Sequence, residues 1–477
     1  MSIVGIESER TSMAWFNSRD PYRKLKKRIG DRKVLDRKED LMVYAVDASY
    51  TAPPGNHDPQ LVVLAECTED VVETVQFARE TELPIIPRGM GSGMSAGAVP
   101  LGGGIVLATE RMKKINDFNV TERWIECEPG LSCAAVKEEA SRRQLFYPPD
   151  PSSYKISSIG GNLAENAGGL RCVKYGTTRD YVLGLEFVNA EGEVIATGEM
   201  ADGRDSLDLT SLLIGSEGLL GVIVRKRLRL IPPPKKTYTL IAHFPTVEHA
   251  VGVIHAILPE LVPSVLEFMD DAVIEAIRGH DPYPFPDGTR AALLVETDGN
   301  PDTARMEAER VHEIFTEFEA LEIHTAQSAA ERERLWNLRR LVSPSLSRLA
   351  DGKMNEDIVV PIGKMGRLLQ RTSEISGLYN IRIPVYGHAG DGNLHLNAMF
   401  DKTEPKQVRA AHEAIEKCFE EVVRLGGTIT GEHGVGASKR REMKLQFSPE
   451  DLHVFREVKR AMDPDGLFNP HKLIPAE

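Results

Sequence analysis

The chain has 477 residues, 41% of them hydrophobic and 27% charged, with a formal net charge of −13. That is enough for two or three domains with cores of their own, in the composition of an ordinary globular protein. The acidic balance excludes a nucleic-acid surface, which needs clustered Lys and Arg, and no run of about 18 apolar residues is present to span a membrane.

The first residues, MSIVGIESERTS, carry acids where a signal peptide would carry an apolar core, so a cytoplasmic protein is expected. Five cysteines (Cys67, Cys127, Cys133, Cys172, Cys418) are scattered without a CxxC, which fits neither a disulfide framework nor an iron–sulfur cluster. Residues 1–45 read as a polar N-terminal extension. Its basic run, Arg23, Lys24, Lys26, Lys27 and Arg28, is either a solvated helix face or a docking patch for an acidic partner.

A strand over 61–65, a helix over 69–80 and a strand over 83–87 open a βαβ unit. It runs into RGMGSGMSAGAVPLGGG, where Gly91–Ala96 is a literal GxGxxA with Glu110 some twenty residues on. A dinucleotide fingerprint must open a helix, and Gly97, Pro100, Gly102, Gly103 and Gly104 would break one. The alternative is a loop whose successive amides form an anion nest. Strands over 105–108 and 124–127 and a helix over 131–143 follow.

Residues 147–179, YPPDPSSYKISSIGGNLAENAGGLRCVKYGTTR, are too rich in Pro, Gly, Ser and Asn for a regular helix or strand. Tyr154, Ile156, Ile159, Leu163 and Leu170 are interleaved through the stretch and argue against disorder. It is either a rigid loop lining a ligand cleft or a packed surface loop. A hairpin over 182–189 and 194–197 comes next, then SLLIGSEGLLGVIV at 211–224 and the proline linker IPPPKK at 231–236, the best domain boundary. Beyond it, strands over 238–244 and 291–297 and helices over 247–258 and 302–318 describe an α+β domain.

Two motifs carry chemistry. In YGHAGDGNLHLN (386–397), strands over 381–386 and 394–400 flank a Gly-Asp-Gly-Asn turn, which puts His388 and His395 on opposite arms of one hairpin. GEHGVG (431–436) adds Glu432 and His433. Two imidazoles and a carboxylate suit Zn²⁺ or Mn²⁺ with positions open for substrate, although single histidines in such loops are often structural.

PPDPSS, SIGGNLAENAGG and KYGTTRDYVLGLEFVNAEGEVIATG resemble the flavin-binding loop of the FAD-linked oxidases of the vanillyl-alcohol oxidase type. The resemblance runs from about Val46 to the C-terminus. It is strongest to the branch with D-lactate dehydrogenase, the glycolate oxidase flavin subunit and D-2-hydroxyglutarate dehydrogenase. It implies an α+β fold: a two-subdomain FAD-binding domain over 46–235, then a substrate- and metal-binding cap over 236–477 whose C-terminal segment returns to the flavin.

The resemblance places FAD against Pro87, Arg88, Gly89, Met90, Gly91, Ser92 and Gly93, then Pro149, Asp150 and Ser153. Further contacts are implied at Gly160, Gly161, Asn162, Asn166, Ala167 and Gly168, and at Gly218, Val222, Ile223 and Asn469. No His or Cys lies between Pro84 and Gly104, so the glycine loop offers no covalent tether. His388, His395 and Glu432 match the metal ligands, and His433 matches the catalytic base. Arg339 matches the grip on the substrate carboxylate, with Ser343 and Asn397 as further substrate contacts.

The chain departs from the pattern at Leu219, where threonine is usual, and at 204–209, which lacks Gly-Tyr-Asp-Leu. Asn355 stands where the 2-hydroxyglutarate branch has lysine. The implied function is FAD-dependent oxidation of D-lactate or glycolate to the 2-oxo acid. D-2-hydroxyglutarate oxidation, and a non-redox enzyme of the alkylglycerone-phosphate synthase kind, are the alternatives. Electrons are expected to pass to a separate iron–sulfur or electron-transferring flavoprotein partner, and the chain to form a homodimer.

Overall fold

The computed structural model describes residues 22–50, 57–201, 207–281 and 283–476; residues 1–21 of the expected extension and Arg204 lie outside them. Among the described residues, three sheets organise the chain. The first has the order Val34–Leu35, Leu61–Leu64, Ile105–Ala108, Ile85–Arg88, its last three strands parallel. Its central strands are apolar without alternation and fully buried, as a parallel sheet covered on both faces requires. Helix Thr68–Thr81 covers one face with Val71, Val75 and Phe77.

The described part of the N-terminal segment is not an appendage. Helix Arg23–Ile29 buries Leu25 and Ile29 in that same core. Three of its five basic side chains meet acids of this chain: Lys24 and Arg28 reach Glu80 at 2.5 and 2.8 Å, and Lys26 pairs with Asp36. Arg23 and Lys27, the rest of the basic run, are exposed.

The second sheet is antiparallel, in the order Ile115–Asn119, Trp124–Cys127, Val222–Arg229, Val182–Val188, Val194–Gly198. Between the sheets, residues 89–104 form no helix, which removes the Rossmann alternative. The 147–179 stretch, in contrast, does contain one. Helix Ile159–Glu165 is capped by Ser158, whose Oγ accepts from Gly161 N at 3.2 Å, and ends at Asn166 with φ 52°. Propensity argues against IGGNLAE as a helix. Its seat decides otherwise, because a Cβ on Gly160 would stand 2.5 Å from the Pro129 ring.

The third sheet is antiparallel, in the order Glu322–Thr325, Lys236–Phe244, Ala291–Gly299, Val265–Asp270, Val385–His388, Asn393–Phe400, Gly352–Val359. The period of two sorts its side chains. Leu266, Phe268, Val385, Leu394, Leu396, Met354 and Ile358 face the core under helices Val247–Ile257, Pro301–Glu317, Met365–Tyr379 and Pro405–Arg424. The opposite face carries Glu296, Asp298, Glu267, Tyr386, His388, His395, Asn355 and Asp357 along adjacent strands.

The C-terminal segment returns to the first sheet. Ile85 N donates to Leu467 O at 2.8 Å and Asn469 N donates to Ile85 O at 2.7 Å, with Phe468 fully buried beside them. Among the described residues, no helix is long and apolar enough to cross a membrane.

Candidate active site between the sheets

A cleft of about 860 Å³ runs between the first two sheets and the polar face of the third. One wall is the glycine loop from Pro87 to Gly93, with Asp150, Ser153, Gly160, Gly161, Asn162, Ala167, Gly218, Val222 and Ile223. Positive φ at Gly91 (66°) and Gly218 (72°) shapes the turns there, a conformation that costs glycine little. The other wall is helix Ala329–Leu346, which presents Arg332, Trp336, Arg339 and Ser343 at i, i+4, i+7 and i+11 on one face. Asn355, Tyr386, His395, Glu432 and His433 complete it.

Five expected contacts stand elsewhere, among the described residues. Pro149 is not on the wall; its carbonyl accepts from Cys133 Sγ at 3.8 Å. Asn166 folds its own loop, accepting from Arg179 N at 2.9 Å. Gly168 backs Glu432, since a Cβ there would lie 3.1 Å from Glu432 Oε2. Asn469 braces the C-terminal segment by donating to Gly97 O at 3.1 Å and Glu217 O at 2.7 Å. Asn397 is fully buried beneath the cleft, with its amide on His395 O at 3.2 Å, and reaches no open space.

His388, His395 and Glu432 come together with their ligand atoms within 4.8 Å of one another. His388 Nε2 is 3.3 Å and His395 Nε2 3.6 Å from the same oxygen, Glu432 Oε1. Behind them lies Glu267, fully buried and not anticipated from the sequence. One oxygen faces His388 Nδ1 at 2.5 Å and the other accepts from Arg339 Nε at 2.5 Å. A carboxylate on the far nitrogen of an imidazole orients the ring and raises its basicity as a ligand.

Burial alone would lower the His388 pKa, but Glu267 and Glu432 draw it up to about 10. Two carboxylates therefore demand positive charge at this point, supplied by a proton or by a metal ion, and the donor set fits the latter. Burial pushes His395 the other way, well below the ordinary range, which leaves the neutral imidazole a metal needs.

The GEHGVG loop hangs on a second unanticipated acid. Asp357 Oδ2 accepts from Gly431 N and Glu432 N at 2.6 Å and from His433 N at 3.2 Å. Burial opposes its charge, but Lys439 and His433 outweigh that and hold it well below the usual carboxylate range. The guanidinium of Arg339 lies 4.7 Å above the Tyr386 ring. Arg340, beside it, is half exposed and pairs with Glu333 at 2.5 Å.

The sequence agrees with this architecture. Residues 59–198 match the FAD binding domain and residues 233–473 the C-terminal domain of FAD linked oxidases. The glycolate oxidase subunit GlcD of Bacillus subtilis (strain 168) is 35% identical over 91% of this chain and 92% of its own length. A D-lactate dehydrogenase of Anaerostipes hadrus is 32% identical (88% and 90%), and a D-2-hydroxyglutarate dehydrogenase of Stutzerimonas stutzeri (strain A1501) 31% identical (95% and 98%). The fold is that of p-cresol methylhydroxylase, with a TM-score of 0.79 at 16% identity over 95% of this chain and 96% of that one. Alkyldihydroxyacetonephosphate synthase shares it, with a TM-score of 0.74 at 18% identity over 94% and 84%. The chain belongs to the FAD-linked oxidase family, and its cofactor is FAD.

Proposed function

We propose that the chain is an FAD-dependent dehydrogenase of small D-2-hydroxy acids, D-lactate or glycolate foremost, with the FAD-binding domain extending to residue 235 and the cap beginning at 236. The observation that carries this reading is the convergence, at one end of the cleft, of a buried arginine, a His/His/Glu group able to hold a metal and a further histidine. The names of its relatives, all acting on 2-hydroxy acids, support it.

FAD, held by the glycine loop and the residues opposite it, supplies the acceptor for the C2 hydride, and a Zn²⁺ or Mn²⁺ ion on His388, His395 and Glu432 would polarise the substrate oxygens. Arg339 keeps its terminal nitrogens for the substrate carboxylate while Glu267 fixes Nε, so the guanidinium cannot swing away. Ser343, one turn further along the helix, borders the same space. His433 takes the hydroxyl proton at Nε2 as the C2–H bond breaks. Asn355 itself brings no positive charge where the 2-hydroxyglutarate branch has lysine, but Lys353, two residues back on the same strand face, sets its Nζ 3.0 Å from Ser343 Oγ, so the choice between monocarboxylates and 2-hydroxyglutarate rests on the bleaching comparison. A synthase that joins lipid substrates has no use for a metal set beside a carboxylate grip, and the site favours oxidation.

Anaerobic bleaching of the flavin by D-lactate, glycolate, D-2-hydroxyglutarate, L-lactate and D-malate tests the reading. Bleaching by D-lactate or glycolate within seconds is expected, and by the L-acid not at all; a flavin inert to all five sinks it. His433→Asn should keep FAD and reduce it about 10²-fold more slowly or worse. His388→Ala should lose metal and turnover together while FAD absorbance stays, and full activity in protein freed of metal would remove the metal from the reaction. The word subunit in the GlcD name supports passage of the electrons to a separate protein; equal turnover with O₂ and with artificial acceptors would replace that view with a self-sufficient oxidase.

A further inference from the structure

A histidine can take a proton at Nε2 only while its own proton rests on Nδ1. For His433, Nε2 points toward the metal set, 4.0 Å from Glu432 Oε1, and Nδ1 points into the protein, 3.4 Å from Asp357 Oδ1. Asp357 is fully buried on the inner face of strand Gly352–Val359. Its Oδ1 also accepts from Lys439 Nζ at 2.6 Å and Thr430 Oγ1 at 3.1 Å, while Oδ2 gathers the three amides of Gly431, Glu432 and His433. Lys439, itself 3% exposed, is held in turn by Asp357 O at 3.0 Å and Ile429 O at 3.1 Å. A carboxylate has no proton of its own to offer Nδ1, so the 3.4 Å contact favours the imidazole that carries its proton there.

We propose that Asp357, anchored by Lys439, is the positioning residue for His433, fixing its proton on Nδ1 and holding the Nε2 lone pair toward the substrate hydroxyl. The role deepens the assignment of His433 as the base and rests on it. A carboxylate is needed because it offers only acceptors. An asparagine satisfying the loop amides with its oxygen would turn its NH₂ toward Nδ1, and the imidazole proton would move to Nε2, where it blocks proton uptake.

Two measurements on the full FAD-loaded chain test this. In ¹⁵N-histidine-labelled wild-type protein, with the His433 signals identified by their loss in His433→Asn, Nδ1 should carry the proton; the Nε2–H form would overturn the proposal. In Asp357→Asn the His433 signals should switch to the Nε2–H form. FAD content and substrate Kd should hold, and flavin reduction should slow by on the order of 10² to 10⁴. Reduction near the wild-type rate would also overturn it. The wild-type spectrum needs no substrate and no change at Asp357, so it decides the question even if Asp357→Asn does not fold. A flavin that no hydroxy acid reduces would instead strike the functional reading and leave the tautomer standing.

Discussion

Glu267 shows how one buried side chain serves both halves of the site. A carboxylate taken fully out of water costs several kcal/mol unless cations surround it, and here Arg339 and His388 each occupy one oxygen at 2.5 Å. Burial opposes its charge, but those two cations win and hold its pKa below the ordinary range. Glu267→Gln must turn one N–H toward a donor. We expect metal affinity to fall by about 10- to 100-fold and KM to rise as Arg339 loses its fixed nitrogen, with FAD content unchanged because Glu267 touches no residue of the glycine loop. Metal titration together with KM for the acid checks this; unaltered values of both would mean that the arginine and the histidine are held by packing alone. His388, His395, Glu432 and His433 were legible because they stand in glycine-rich turns, where a titratable group has little structural reason to be. Glu267 and Asp357 were not, because nothing local marks them: each shares its strand with a second acid, Asp270 or Glu356, and their partners lie 72 or more residues away in sequence.

At the level of elements, hydrophobic period and turn residues located most strands and helices of both halves. The hairpin 182–198 and the βαβ opening formed where the pattern put them. Strand Ile115–Asn119 escaped because it is polar, at the edge of its sheet and largely exposed. Helix Ile159–Glu165 escaped because its glycines read as loop, while the structure uses them for close approach: at Gly160 an added methyl would meet Pro129 Cβ at 2.5 Å and Pro129 O at 3.1 Å. Gly160→Ala gains helix propensity yet must push the helix off its seat, and with it Gly161 and Asn162 on the cleft wall. The expected outcome is a folded protein with FAD affinity at least about tenfold weaker, measured by flavin titration of the apoprotein. Unchanged affinity would show that the backbone near Pro129 yields at no cost to the cleft.

Across the whole molecule, the order of motifs along the chain predicts which half binds FAD and which carries the metal set, but not what holds the halves in register. That task falls to residues over 120 positions apart in sequence. Glu296, fully buried on the third sheet, accepts from Arg332 Nε at 2.7 Å, Trp336 Nε1 at 2.8 Å and Thr239 Oγ1 at 2.6 Å within the cap. Its second oxygen accepts from Arg171 Nη2 at 3.2 Å, across the cleft. Two residues along the same strand face, Asp298 takes Lys174 Nζ and Tyr175 Oη, both at 2.8 Å. Removing one partner from a buried ion cluster leaves uncompensated charge, with a typical cost of about 3–5 kcal/mol. Glu296→Gln takes the acid from Arg332 and leaves Arg171 only Asp150 at 3.6 Å and Asp298 at 3.9 Å, so it should cost up to that much, while Arg171→Met leaves Glu296 with Arg332 and should lose less. The double variant should lose less than the sum of the two, by about 1–3 kcal/mol. Urea unfolding followed by tryptophan fluorescence, to which Trp336 contributes beside Glu296, and by flavin absorbance should give coincident transitions in the wild type. In Glu296→Gln the tryptophan transition should come first, with the cap loosening before FAD is released. Additive losses and transitions that stay coincident would mean that apolar packing, and not this ion cluster, keeps Arg339 and His433 over the flavin wall.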